Sequence, residues 1–242
     1  MAQQQQGNGS QSDTRTLAID IGGTGVKALL LDAKGGQLTE RVRVETPRPA
    51  TPDAIMPALQ ELVRPVGEFD RISAGFPGVV VDGVVLTAPN LDDSWAGFDL
   101  AAALTRILGK PARVLNDAGV QGYGVIKGRG VEMMLTLGTG LGAAIYHDGR
   151  YVPNLELAHH PFRGRKTYED YVGAKALDRI GKKKWNKRVR EMIEQVVPIW
   201  NPSRLYLGGG NAKHVKFELP DNVELVSNVA GLLGGIALWN QP

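Results

Sequence analysis

Two stretches of this chain share one design: a short apolar run, a glycine-rich turn, then a second apolar run. In the first, Leu17-Ala18-Ile19 leads through Asp20-Ile21-Gly22-Gly23-Thr24-Gly25 into residues 26–31, apolar but for Lys27. In the second, residues 131–137 lead through Gly138-Thr139-Gly140 into residues 142–146. Apolar runs this short, bounded by glycine, read as strands. Each unit is therefore predicted as a strand pair with glycines at its tip. Its recurrence, once per half, points to two similar α/β domains facing one another. The predicted division is a tail over residues 1–14, a smaller domain over 15–116 and a larger one over 117–242, meeting near Leu115-Asn116-Asp117.

The remaining elements alternate between strand and helix. Residues 40–45 alternate as a third strand, and Thr51 or Asp53 caps a helix reaching residue 63. Residues 71–74 and 83–87 read as strands around the turn Phe76-Pro77-Gly78, followed by a helix over 99–108 and a strand over 112–115. In the second half, helices are predicted over 118–127, from about 168, and over 182–200. A strand over 204–207 runs into Gly208-Gly209-Gly210, and residues 228–239 are read as a last helix that packs back on the first domain.

Composition closes off several classes. The chain has no cysteine, which excludes disulfides and thiolate-held zinc. No apolar run approaches the ~18 residues of a membrane span. The polar, Gln-rich start has no apolar h-region and is expected to be disordered, so a cytoplasmic address is expected. A net charge of +3 is too small to announce a nucleic-acid partner.

The glycine turns carry the first chemical suggestion. Without a Cβ, backbone N–H groups can approach phosphate oxygens closely. Gly22 and Gly23 offer such a surface, Thr24 adds a hydroxyl, Lys27 a mobile cation, and Asp20 a carboxylate suited to hydrated Mg2+. Gly138, Thr139 and Gly140 repeat the design. Taken singly, either could be a plain hairpin turn, and neither matches the P-loop or dinucleotide fingerprints. Asn116-Asp117 likewise reads as an ordinary helix cap after a strand, or as a carboxylate placed to take a proton.

The motifs DIGGTGVK, LNDA, LTLGTGLG, ELAH and LGGG fall in the order and at the spacing of the ROK family of sugar kinases and repressors, which the chain resembles over residues 17–239. Within it, ERVRVETPRPATPDA, FPGVV, DGVVLTAPNLDDSW, LTLGTGLGAAIYHDGRYVPN and LYLGGG are similar to the polyphosphate glucokinase branch. The resemblance implies an α/β, actin-like ATPase (ribonuclease H-like) fold of two domains around a cleft. It further implies phosphoryl transfer from ATP or inorganic polyphosphate, with Mg2+, to the 6-hydroxyl of glucose or mannose in a homodimer. Asp117 would be the general base, and Asn90, Asn116, Glu156, His159 and Glu169 would join it in holding the hexose. Gly209 and Gly210 would lie against the nucleotide or the far end of a phosphate chain.

Three departures from the family pattern stand out. Ala158 replaces the usual glycine of Glu-x-Gly-His, which is unfavourable if that position needs positive φ. Gly119-Val120-Gln121-Gly122-Tyr123 replaces the usual acidic and small residues after the catalytic pair. Arg163-Gly164-Arg165-Lys166 stands where many relatives carry a cysteine-rich zinc site, so no zinc site is expected, as in the polyphosphate branch. These departures keep open a sugar-binding protein with impaired turnover, or a kinase for another hexose such as an N-acetylhexosamine. A repressor is disfavoured, because only a short polar stretch precedes the first strand, with no helix-turn-helix pattern.

One further feature falls outside these motifs. Residues 181–190 hold six basic residues and no acid. Apolar Trp185, Val189, Met192, Ile193, Val196 and Val197 fall at helical intervals, so the cations decorate the outer face. That face reads as a solvated surface or as a track for a linear polyanion such as polyphosphate.

Overall fold

The computed structural model describes residues 13–153, 155–227 and 234–240. Most of the expected tail, and residues 228–233 of the expected last helix, lie outside the described residues.

Two five-stranded sheets organise the chain. The first contains β1 (Thr16–Ile21), β2 (Val26–Leu31), β3 (Val42–Val44), β4 (Arg71–Phe76) and, after a small hairpin of β5 (Val80–Val81) and β6 (Val84–Val85), β7 (Ala112–Asn116). Helix α1 (Pro52–Val63) precedes β4, and α2 (Leu100–Leu108) precedes β7. The second sheet contains β8 (Val131–Leu137), β9 (Leu141–His147) and β10 (Arg150–Val152). After the hairpin β11 (Pro161–Arg163) and β12 (Lys166–Thr167) it is completed by β13 (Arg204–Gly208) and β14 (Val223–Leu225). Helix α3 (Asp117–Tyr123) lies between the sheets in sequence; α4 (Tyr168–Val172) and α5 (Ala174–Trp200) fill the second half.

The strand orders are β3-β2-β1-β4-β7 and β10-β9-β8-β13-β14. In each sheet the glycine-tipped pair is antiparallel and the two later strands add in parallel. One topology is thus built twice, and the glycine tips β1–β2 and β8–β9 occupy equivalent places. Buried residues such as Leu17, Ile19, Ile55, Leu59 and Trp95 form the first core, and Met133, Leu135, Trp185, Val189 and Ile193 the second. Burial on both sides of β1 explains why Leu17-Ala18-Ile19 is an unbroken apolar run rather than an alternation.

Local chemistry sets several boundaries. Thr51 caps α1 by accepting the Ala54 N–H at 3.3 Å, and Asp99 caps α2 by accepting that of Ala102 at 2.8 Å. Helix α3 stops at Tyr123 rather than running to residue 127. The backbone N–H groups of Lys127, Gly128 and Arg129 turn instead toward the buried Glu132 carboxylate at 2.7, 2.6 and 3.1 Å. The helix expected over 182–200 starts where expected, because Gly181, at φ 74° and ψ 161°, breaks α5 into a short first segment and the segment from 182 to Trp200. Residues 40–45 contribute only the three residues of β3, and 83–87 only a two-residue strand, because their neighbours lack ladder partners there.

The chain end departs most from expectation. Its described part is a turn leading into a short 3-10 segment, Ala237–Trp239, with no α-helix. Side chains of the first sheet hold it: Trp239 Nε1 donates to Ser73 Oγ at 2.9 Å and Arg113 donates to the Leu238 carbonyl at 2.5 Å. Arg71 and Arg113 also lie over the Trp239 ring. No described helix is long and apolar enough to cross a membrane.

Candidate active site

Asp117 is the first residue of α3, where β7 ends and the chain passes between the two sheets. Asn116 precedes it as the N-cap: its Oδ1 accepts the N–H groups of Ala118 and Gly119 at 3.0 and 3.2 Å, and its Nδ2 donates to the Gly78 carbonyl at 3.1 Å. The cap reading of Asn116 therefore holds in the structure, and it orients Asp117 beside a cavity of about 400 Å³. Close approach to β4 is possible because position 75 is glycine; a Cβ there would stand 3.3 Å from the Asp117 Cα.

All sixteen residues singled out from the sequence line this cavity, from Asp20 on β1 to Gly210 after β13. Arg41, Gln121 and Thr136 line it as well, without having been singled out. Gln121 lies four residues after Asp117 on α3, so helical periodicity was the available signal. Arg41 lies in the alternating stretch 40–45, whose pattern marks a strand and not a cavity wall.

The first glycine loop is braced from β3 and the segment beyond it. Thr46, Arg48 and Arg43 donate to the carbonyls of Gly22, Gly23 and Thr24 at 2.5, 2.7 and 3.2 Å. Lys27 Nζ sits 2.7 Å from Asp20 Oδ2 across the β1–β2 pair, both side chains about one-third exposed. The loop meets Asn90 closely: a Cβ at Gly23 would lie 3.0 Å from the Asn90 carbonyl oxygen.

The second loop is tied to the other wall. Glu169 on α4 accepts the Leu141 N–H at 3.1 Å, and a Cβ at Gly140 would collide with its carboxylate. The Thr139 carbonyl accepts from Ala174 N–H at 3.1 Å, and the Gly138 carbonyl from Asn211 Nδ2 at 2.9 Å. Gly209, at φ +87°, lies against the Leu137 backbone so closely that a side chain could not fit. Both glycine segments of the second half thus form one stitched surface.

Opposite them, His159 Nε2 lies 3.6 Å from Glu156 Oε2. That spacing is beyond a hydrogen bond, and it brings the carboxylate and the imidazole to one wall of the cavity. Ala158 lies in the 3-10 turn Leu157–His159, outside the left-handed region, so its methyl group brings no backbone strain. Arg163 belongs to the hairpin β11–β12 and pairs with Glu191 at 3.0 Å.

The electrostatics single out Asp117. Burial, and then the neighbouring Asp20 carboxylate, push its carboxyl up to about 7; Glu156 adds to this, while the Ala118 N–H and Lys27 oppose it. Burial also raises Glu156, with Glu169 adding and His159 opposing. A carboxyl titrating near neutrality can be ionised and still basic enough to accept a proton. Among the described residues no cluster of three or more His, Cys, Asp or Glu side chains can hold a metal ion alone. Asp20, a hard oxygen donor on the first glycine loop's side of the cavity, is the carboxylate that would suit Mg2+.

Comparison with known proteins agrees with this geometry. The ROK family model matches residues 16–153. Polyphosphate glucokinase of Mycobacterium tuberculosis is 33% identical over 93% of this chain and 91% of its own. The inorganic polyphosphate/ATP-glucomannokinase of Arthrobacter sp. strain KM superposes with a TM-score of 0.85 at 33% identity, covering 95% of this chain and 100% of its own. A ROK family glucokinase from Streptomyces griseus, solved with glucose and AMPPNP, shares the fold at a TM-score of 0.74 and 22% identity over 93% of this chain and 98% of its own.

Proposed function

The chain belongs to the ROK family and has its actin-like ATPase fold, and from that premise we propose that it moves a terminal phosphoryl group from inorganic polyphosphate or ATP to the 6-hydroxyl of glucose or mannose. The observation that supports this reading most directly is the raised Asp117 carboxyl, standing beside a cavity that both glycine loops and the Glu156–His159 pair also line.

In this reading Asp117 is the general base. A sugar hydroxyl is a weak nucleophile until its proton is taken up as the bond to phosphorus forms. The Asp117 carboxylate takes that proton, and the phosphoryl group leaves its donor in line. Glu156, His159, Glu169 and Asn90 hold the hexose hydroxyls and fix which one faces Asp117. Asn116 contributes chiefly by capping α3, which sets the direction of the carboxylate.

Gly22, Gly23, Thr24, Gly138, Thr139 and Gly140 grip the phosphates from two sides, with Lys27 neutralising charge and Gly209 and Gly210 receiving the rest of the donor. Mg2+, which Asp20 would hold through water, supplies charge neutralisation on the donor phosphates. The halves 15–116 and 117–242 are taken as jaws that close on both substrates. A homodimer in the cytoplasm belongs to the same reading.

A coupled assay that crosses glucose, mannose and N-acetylated hexosamines with ATP and polyphosphate tests the proposal. Turnover with glucose or mannose and at least one phosphoryl donor is expected, with Asp117→Asn reduced at least a hundredfold. Absence of turnover with every donor, or full activity in Asp117→Asn, would overturn it.

A further inference from the structure

We propose that a row of cations leading from Gly210 over residues 213–216 to the helical segment after Gly181 binds the distal phosphates of long polyphosphate, an inference that rests on the phosphoryl-transfer reading above. Gly209 and Gly210 line the cavity. The chain then leaves through Asn211 into the short turn Ala212–His214, held by Ala212 N–H to the Gly209 carbonyl at 3.1 Å and His214 N–H to that of Asn211 at 2.9 Å. Lys213 follows Gly210 by three residues, so its Cα lies within about 11 Å of that of Gly210.

Asn186 fixes this turn against α5. Its Nδ2 donates to the His214 carbonyl at 2.9 Å and its Oδ1 accepts the Lys216 N–H at 2.7 Å. The clamp sets Lys213, His214 and Lys216 beside Lys182, whose carbonyl Asn186 also engages at 2.8 Å. Burial and then the charges of Lys182, Lys213 and Lys216 push the His214 imidazole down, which agrees with cations gathered at one place.

The basic stretch seen in the sequence divides into two parts in the structure. Arg188 lies over the Tyr171 ring at 4.4 Å and Arg190 over Phe217 at 4.8 Å, so these two cations serve packing. Lys182, Lys183, Lys184, Lys187, Lys213 and Lys216 are exposed. Among the described residues, none of them takes part in an ion pair within 4.0 Å. Like charges gathered without partners repel one another, and a linear polyanion leaving the cavity beside Gly210 would relieve that repulsion. Single-stranded RNA fits less well, because base stacking needs open aromatic faces. In this region Trp185 is buried and Phe217 lies beneath Arg190.

The test is the triple variant Lys182→Gln/Lys213→Gln/Lys216→Gln, assayed with long-chain polyphosphate, tripolyphosphate and ATP at several salt concentrations. KM for the long chain should rise tenfold or more, and its logarithmic salt dependence should flatten by about 2, as expected for three lost phosphate contacts. KM for ATP and tripolyphosphate should stay within twofold, since neither reaches the row. An unchanged long-chain KM, an equal rise for ATP, or single-stranded RNA competing as strongly as polyphosphate would each overturn the inference. So would a wild-type protein that uses ATP but no polyphosphate, which leaves the kinase reading standing. Loss of every phosphoryl donor's turnover in the wild type would strike that reading instead.

Discussion

Glu169 Oε2 accepts the Leu141 N–H at 3.1 Å, so a carboxylate on α4 anchors the glycine loop at the tip of β8 and β9. The loop and the helix are joined again where the Ala174 N–H meets the Thr139 carbonyl at 3.1 Å. Any ligand that moves α4 therefore moves this glycine loop with it. A sugar held by Glu169 would set the loop before the phosphoryl donor arrives.

Glu169→Ala should accordingly weaken both substrates rather than the sugar alone. Losing a charge-assisted hydrogen bond is worth about 1.5–3 kcal/mol, or roughly ten- to a hundredfold in kcat/KM. Glu169→Gln retains an acceptor for the Leu141 N–H and should restore the donor KM more fully than the sugar KM. Steady-state kinetics with each substrate varied would show the split. A donor KM unchanged in Glu169→Ala would show that the link carries no energy.

The acid limb of the pH–rate profile is expected near pH 7. Its cause is the Asp117 carboxyl, raised to about 7 by burial and Asp20 and needed in its ionised form. Activity should therefore rise as pH increases through that value. Asp20 raises the carboxyl and Lys27 lowers it, so Asp20→Asn should move the limb to lower pH and Lys27→Met to higher pH. Both variants lose activity for other reasons; the position of the limb in kcat/KM is the readout, reported for the coupled group. Shifts in the reverse directions would remove Asp117 as the titrating base.

Much of this site was legible because its chemistry is local. Gly22, Gly23, Gly138 and Gly140 stand at strand tips, and a short apolar run ending in glycine announces such a tip wherever it occurs. Asp117 was legible only through the order of motifs along the chain, since Asn116-Asp117 by itself also reads as a cap, and Asn116 is one. Arg41 was not legible as a cavity residue, because its place in the alternating stretch 40–45 marks a strand edge and it reaches the cavity through the fold. The meeting of Lys182 with residues 213–216 was hidden for a similar reason: about thirty residues separate them, and Asn186 joins them through side-chain bonds that no periodicity records. The early end of α3 was hidden too: Lys127, the last residue of the expected helix, gives its N–H to Glu132, a lone acid in an apolar strand, as do Gly128 and Arg129 beyond it.

That same Glu132 supplies a stability test away from the cavity. It is buried, and besides the three N–H groups it accepts the Tyr206 hydroxyl at 2.8 Å. Glu132→Gln replaces one acceptor oxygen by an NH2 group that faces N–H donors, leaving buried groups unsatisfied. A loss of about 2–4 kcal/mol is expected, roughly 4–16 °C in Tm for a chain of this size. Thermal unfolding would measure it, and kcat at 25 °C should stay near that of the parent. A Tm within about 1 °C of the parent would mean the loop finds other partners.

Asp117→Asn tests whether the proposed base is held at a cost to the fold. The folded state keeps the Asp117 proton up to about pH 7, whereas an ordinary aspartate releases it near 3.8. Between those values the native state binds more protons than the unfolded chain, so this group's contribution is full below about pH 4 and is lost as pH rises through 7. Asparagine does not titrate. The variant should therefore gain stability over the parent with rising pH, by about 3–5 kcal/mol at pH 8, or roughly 6–20 °C in Tm, and the gain should vanish by about pH 4. Differential scanning calorimetry without substrates at pH 4, 6 and 8 would read the trend, and calorimetric titration with glucose would show sugar binding largely kept. A stability difference that does not change across that range would mean the carboxyl is already ionised well below neutrality, and a base so weak would take little part in the transfer.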